Sequence, residues 1–361
     1  STSMRIALLT NAFPPVMRGG GGRIASWHEQ ILLDAGHEVR VFCPPITWFD
    51  KPILSRLFYH FRDLFSRSTV TSEIVVWNPD ILITENLTGC GFGTPQAVIA
   101  KTGAQWVHVL HDVQLFEPSG RLKDAERITL WQYVWGGMRR FVFGDPQTVI
   151  CPTQWLYEEH RRRGFFTRSE VAILPNPAPE EQFVLRSPRM PLSLLLIGAT
   201  QEKGLAMAEW LASHAIDCAV TVTYPPTQYI SIPKESHVLY VPNDGPDSVV
   251  QMMKEADVLL VPSTIVENQP TVILEAASVG LPVIASDIGG IRETLDGAGT
   301  LCHPWDEQAW LEAVELHKQP AFYSSQALQM YELARKRVFA DYAYNFATLV
   351  EELIQDQNDT E

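Results

Sequence analysis

Arg5-Ile6-Ala7-Leu8-Leu9-Thr10 is a short apolar run and reads as a buried strand. A loop holding Pro14-Pro15 and Gly19-Gly20-Gly21-Gly22 follows it. Ile24 to Ala35 then reads as a helix, with Ile24, Trp27, Ile31 and Leu32 on one face and Gly36 as its stop. Val39-Arg40-Val41-Phe42 is the next strand, so the chain opens on a βαβ unit. Apolar runs at Asp80–Ile83, Trp106–Leu110 and Thr148–Ile150 continue the pattern, as expected for a parallel sheet with helices on both faces. Prolines punctuate residues 175–191 as a linker would. A second series of strands then runs through Leu194–Gly198, Ala219–Val222, His237–Tyr240, Val258–Val261 and Pro282–Ala285. The fold class expected is α/β: two Rossmann-like, doubly wound parallel-sheet domains facing each other across a cleft, the usual place for a ligand. The boundaries expected are 1–178 and 179–337. The tail from about Phe322 to Ile354 reads as helix, and its last part, about 338–361, is expected to pack back on the first domain.

The chain has 361 residues, too many for one ordinary core. Its formal charge of −14 argues against a duplex nucleic-acid partner, which needs a basic face. The charge is uneven: residues 1–180 carry 18 basic against 17 acidic side chains, and the remainder 10 against 25. Five scattered cysteines without a Cys-x-x-Cys pair suggest reduced thiols and a cytoplasmic protein. No apolar run approaches the ~20 residues of a membrane span. No signal peptide is expected before the first strand, with Ser1-Thr2-Ser3 ahead of Met4 reading as an added remnant, and no repeat of 20–50 residues is visible.

The chemistry concentrates in Glu267-Asn268-Gln269-Pro270-Thr271-Val272-Ile273-Leu274-Glu275. The first half is loop, and the second turns into a helix. That puts Glu267 at the mouth of a helix N-terminus and Glu275 one turn inside it. Free N–H groups and the positive dipole end make such a terminus a seat for phosphate. Acids beside a phosphate repel it, but they suit the hydroxyls of a ribose and a sugar. Phosphate flanked by two polyols is the outline of a sugar nucleotide. The competing reading is two surface acids near a helix start, where acids are favoured anyway. The four glycines before Arg23 fail the G-x-G-x-x-G spacing, because Ala25 stands three after Gly22, so a nicotinamide site is not expected.

With both halves placed, the chain resembles the family-4 retaining glycosyltransferases of the two-Rossmann-domain (GT-B) type. The resemblance rests on Phe13-Pro14-Pro15 with the glycines, Ala35-Gly36-His37-Glu38-Val39, His111-Asp112, Ile173-Leu174-Pro175-Asn176-Pro177, Gly198 with Lys203-Gly204, Ala256-Asp257-Val258 through Pro262-Ser263, the two-glutamate motif, Gly280–Ala285, and Gly289-Gly290-Ile291-Arg292-Glu293. It implies that Glu275 binds the ribose hydroxyls, Glu267 approaches the donor sugar, and Lys203 is the phosphate point charge. The amides of Thr271 and Val272 would cradle the diphosphate, with Pro270 beside them and Gly20 and Gly21 near the diphosphate and sugar. His111 would contact the sugar near the reacting carbon, making His111, Glu267 and Lys203 the catalytic set. The chain departs from the family at Pro270, where Gly is usual, and at Ala199, where many relatives have Arg. Arg18 or Arg23, flanking the glycine loop, is expected to supply the missing charge. Bland readings stand beside these: a solvated lysine, an empty loop, a structural histidine. His108 is the more structural of the two histidines on its strand.

The reading that follows is a retaining hexosyltransferase using a nucleoside-diphosphate sugar, UDP-glucose before GDP-mannose, and a glycan or lipid-linked acceptor. No cofactor and no metal are expected, since no Asp-x-Asp pair is present. A sugar-nucleotide epimerase and a catalytically inactive sugar-nucleotide-binding partner subunit remain alternatives. Basic residues interleave with aromatics at Leu54–Phe65, Arg139–Phe143 and Arg161–Phe166. Such mixtures suit an anionic membrane surface, or else are helix faces packed inward.

Overall fold

The computed structural model describes residues 3–15, 21–46, 51–228, 230 and 236–358. The chain divides into two compact units, Ser1–Pro175 with Ala340–Glu361, and Asn176–Phe339.

The first unit runs β1 (Arg5–Leu9), α1 (Gly21–Asp34), β2 (Glu38–Phe42), α2 (Ile53–Phe65), α3 (Thr71–Trp77), β3 (Ile81–Thr84), α4 (Thr94–Thr102), β4 (Gln105–Val109), α5 (Leu130–Phe143), β5 (Thr148–Cys151), α6 (Gln154–Arg162) and β6 (Glu170–Ile173). The strands form one sheet in the order β2-β1-β3-β4-β5-β6, and every pairing is parallel. β3 and β5 are buried at every residue, as both-face coverage by helices demands of an apolar parallel strand.

The second unit runs β7 (Leu192–Ile197), α7 (Leu205–His214), β8 (Cys218–Tyr224), β9 (Val238–Pro242), α8 (Pro246–Glu255), β10 (Val258–Val261), α9 (Thr271–Ser278), β11 (Val283–Ser286), α10 (Ile291–Leu295), β12 (Thr300–Cys302), α11 (Glu307–His317) and α12 (Pro320–Arg335). Its sheet, in the order β12-β11-β10-β7-β8-β9, is again parallel throughout. The two halves are therefore α/β units with doubly wound parallel sheets. α13 (Phe339–Asn358) closes the chain.

Several details differ from the sequence reading. The edge strands β6 and β12 carry no continuous apolar run: β6 is half-exposed to exposed along its length and β12 has three residues. Helix α1 begins at Gly21, so Gly21 and Gly22 belong to its first turn, and its buried face carries His28 while Trp27 is only half-buried. The tail is two helices. α12 stops at Arg335, and the Arg337 carbonyl accepts the Ala178 N–H at 2.8 Å instead of continuing a helical ladder. α13 then buries Tyr342, Phe346 and Val350 at four-residue spacing, with the Phe346 ring stacked on His28 at 3.9 Å.

Two of the three basic-aromatic stretches each turn one arginine inward, while Arg161 and Arg162 stay exposed. Arg139 is fully buried, with its guanidinium 4.1 Å over Phe92 and 5.0 Å from Trp135, and none of its nitrogens has a hydrogen-bond partner among the described residues. Burial pushes its pKa down to about 9. Arg163 is buried over Phe116 and ion-paired to Glu159 at 2.5 Å. Among the described residues no helix is long and apolar enough to cross a membrane.

Candidate functional site

In the second unit the chain leaves β7 outward through β8 and β9, then returns to β10 on the other side of β7 and winds the opposite way. Loops that leave the carboxyl ends of two such neighbouring strands diverge and open a crevice. The loop after β7 carries Gly198, Ala199, Lys203 and Gly204, and the loop after β10 carries Ser263, Glu267, Gln269 and Pro270. The topology thus brings Lys203 and Glu267 together across 64 residues of sequence. Lys203 Nζ donates to Glu267 Oε1 at 2.6 Å, and Ser263 Oγ donates to the same oxygen at 2.7 Å. The Lys203 side chain keeps 42% of its surface exposed, so solvent screens the pair and weakens it.

Pro270 is the N-cap of α9, with φ −62° and ψ 116°, and its carbonyl accepts the Ile273 N–H at 3.1 Å. It stands one residue ahead of the helix, and the N–H that proline lacks leaves the terminus one donor fewer. The donors that remain there belong to Thr271 and Val272, since the Ile273 N–H is taken by the Pro270 carbonyl. Thr271 is exposed, and Val272 and Glu275 are half-buried. Thr271 and Glu275 are four residues apart and share one helix face. The loop backbone is pinned from below: Gly290 N–H donates to the Glu267 carbonyl at 2.8 Å, and the buried Gln269 side chain accepts the Asn176 N–H at 2.9 Å. Gly204 has φ +83°, and a Cβ there would run into the Pro262 carbonyl.

In the first unit the winding reverses between β1 and β3. Glu85 follows β3, and His111 lies two residues beyond β4. Glu85 is 1% exposed, and each carboxylate oxygen meets one imidazole: Oε1 lies 2.7 Å from His28 Nδ1 and Oε2 lies 3.0 Å from His111 Nε2. His28 Nε2 in turn lies 2.7 Å from the Tyr342 hydroxyl on α13. Burial alone would raise the Glu85 pKa, but the charge of His28 and the hydrogen bonds from both histidines outweigh it and hold the carboxyl at about 2. Burial would lower the pKa of His111, yet the Glu85 hydrogen bond and charge, with Asp112, raise it. Asp112 accepts Asn86 Nδ2 at 3.0 Å and the Gln114 N–H at 2.8 Å. His108 is a different case: its Nδ1 meets Thr84 Oγ1 at 2.9 Å inside the sheet, and burial pushes it down to about 3, so it is a neutral structural residue.

The site residues expected from sequence therefore form two clusters, one in each unit: Lys203 and Glu267 at the start of α9 with Thr271, Val272 and Glu275, and His111 with its acid. Gly21 and a half-buried Arg23 lie in the first turn of α1. Gly20 and Arg18 lie outside the described residues. Sequence reasoning missed Glu85, His28, Tyr342 and Ser263. An acid directly after Ile-Leu-Ile-Thr was a readable sign for Glu85, since carboxyl ends of such strands take ligands. Nothing local to Tyr342 marks it. Among the described residues no group of three or more His, Cys, Asp or Glu side chains is placed to hold a metal ion.

Polar and charged loops at the reversal points of two doubly wound sheets place the chain in the class of α/β proteins that take ligands at the carboxyl edge. The chain belongs to the glycosyltransferases of group 1, family 4: the family-4 model matches residues 19–182 and the group 1 model residues 185–317. It is 27% identical over 151 residues to the D-inositol 3-phosphate glycosyltransferase of Rhodococcus erythropolis, a match covering 40% of this chain and 31% of that protein. The fold is similar to that of sucrose-phosphate synthase from Thermosynechococcus elongatus, with TM-score 0.73, 16% identity, and coverage of 98% and 100% of the two chains. HepE of Anabaena in complex with UDP-glucose follows at TM-score 0.64 and 16% identity, with 98% and 100% covered.

Proposed function

We propose that the chain transfers a hexosyl group from a nucleoside-diphosphate sugar, with UDP-glucose as the first donor to test, to a glycan or lipid-linked acceptor, with retention and without a metal. The observation that carries this reading is the meeting of Lys203, Glu267 and the N-terminus of α9 at the reversal point between β7 and β10. The diphosphate lies on the amides of Thr271 and Val272, with Lys203 as its counter-charge. Glu267 turns from Lys203 to the sugar, and Glu275 takes the ribose hydroxyls. The bond from the anomeric carbon to the diphosphate oxygen breaks. The acceptor oxygen bonds to that carbon on the same face, and its proton passes to the departing diphosphate. Growing charge on the leaving group is what Lys203 and the helix amides stabilise. His111, whose pKa the Glu85 hydrogen bond and charge raise, donates to the sugar. Family membership and the fold shared with a UDP-glucose complex support this assignment.

Two measurements test it. A thermal-shift series of UDP, GDP and ADP sugars should show one that, at about 100 times its Kd, adds ~2.7 kcal/mol to folding stability. Calorimetry should show Lys203→Ala weakening that ligand by about 10- to 100-fold, the loss of a charge-assisted hydrogen bond, and Glu275→Ala weakening it as well. Unchanged affinity in both variants removes the reading. Buried Ala199, in the slot where many relatives have Arg, favours a second one, a partner subunit that binds the donor without turning it over. Sugar transfer to acceptor extracts by the purified chain, lost in His111→Ala, distinguishes the two.

A further inference from the structure

α2 is amphipathic the wrong way round for a protein in water. Leu54, Leu57, Phe58, Phe61 and Phe65 recur at helical spacing and make one stripe. That stripe faces out: Leu54 is 83% exposed, Phe58 64% and Phe65 55%. The opposite side is firmly anchored. Leu64 is buried, and the buried Asp63 carboxylate accepts the N–H groups of Gly89 and Gly91 at 2.7 and 2.8 Å. The outward stripe is therefore fixed by the fold. α5 packs against α2 and leaves Leu130, Trp131, Tyr133 and Phe141 exposed as well. Monomeric soluble proteins rarely expose apolar side chains in such contiguous groups.

The charges around the stripe name its occupant. Between residues 51 and 67 the chain carries Lys51, Arg56, Arg62 and Arg67 against a single acid, Asp63, and that acid is the buried one. Lys51 and Arg62 stand 5.4 and 5.0 Å from the same Tyr59 ring, at the rim of the stripe. This basic rim belongs to a chain of net charge −14, so it is local and not a general property of the surface. A second copy laid face to face on the same stripe would set cations against cations. At 13 residues α2 is about 20 Å long, too short to cross a bilayer but suited to lie in its interface.

We propose that α2, with the exposed aromatic residues of α5 beside it, docks the first unit on an anionic phospholipid surface. The apolar stripe enters the headgroup boundary, Lys51 and Arg62 meet lipid phosphates, and the aromatic side chains sit at headgroup level.

The test is flotation of the full chain with vesicles of phosphatidylcholine alone and of phosphatidylcholine mixed with phosphatidylglycerol. The protein should float with the mixed vesicles, release in high salt, and stay behind with phosphatidylcholine. Arg62→Gln should lower partitioning about five-fold, the effect of one basic residue at the surface. Leu57→Glu with Phe61→Glu should abolish it while leaving the melting temperature unchanged, because both side chains are exposed. The proposal fails if the wild type floats with neither vesicle, or if the double variant floats as the wild type does. A concentration-dependent dimer that the double variant dissociates, without flotation of the wild type, would assign the stripe to a second copy instead.

Discussion

Glu85 sits between two imidazoles, those of His28 and His111. Its pKa, held at about 2 against an ordinary 4.5, means that its contribution to stability is present above pH ~4.5 and is lost as pH falls toward 2. The raised pKa of His111 works in the other direction: that contribution is complete below the ordinary 6.5 and fades as pH rises through the higher folded value. The two overlap between about pH 4.5 and 6.5. Glu85→Gln, which breaks a buried pair and leaves the histidines facing an amide, should cost about 3 kcal/mol within that window. Denaturant titrations at a series of pH values check this, and a cost that does not shrink at both ends of the range would exclude the pairing. His28 and Tyr342 were not legible in the sequence, because they lie 57 and 314 positions from the groups they touch. Lys203, Glu267 and Glu275 were legible for the opposite reason. Each stands in a short local pattern of loop glycines or helix start, and that pattern survives without any knowledge of neighbours.

At the scale of the element, the start of α9 depends on how closely other backbone approaches the loop before it. Gly290 packs its Cα against the Asn268 carbonyl, and a Cβ there would overlap that oxygen. Its N–H already holds the Glu267 carbonyl at 2.8 Å. Gly290→Ala should therefore push the Glu267–Pro270 loop outward, cost about 1–3 kcal/mol as overpacking does, and weaken nucleotide binding without touching a donor-binding side chain. Calorimetry and thermal melting of this one variant measure both effects, and normal affinity would show that the loop tolerates the shift. Elements with continuous apolar runs, such as β1, β3 and β10, could be read directly. β6 and β12 could not, since an edge strand needs to be apolar on one side only. The break between α12 and α13 was equally silent: it follows from a carbonyl taken by Ala178 and not from a proline or glycine.

At the scale of the molecule, α13 completes the first unit from the far end of the chain. Phe346 is fully buried and stacks on His28, so Phe346→Ala should destabilise the first unit by about 3–5 kcal/mol, read as a lower melting temperature of the full chain. A change under 1 kcal/mol would mean that the helix adds little to that core. The sequence by itself determined the α/β class, the two successive parallel sheets and the family, because burial of both sheet faces demands apolar runs whose period is local. It also marked the loops that bear Lys203 and Glu267. Only the tertiary structure decided that these two side chains meet, that Glu85 joins His28 to His111, that Arg139 points inward, and that the apolar stripe of α2 points outward. Those outcomes depend on which strands become neighbours and which helix face finds a partner, and such choices are made by packing across the whole chain.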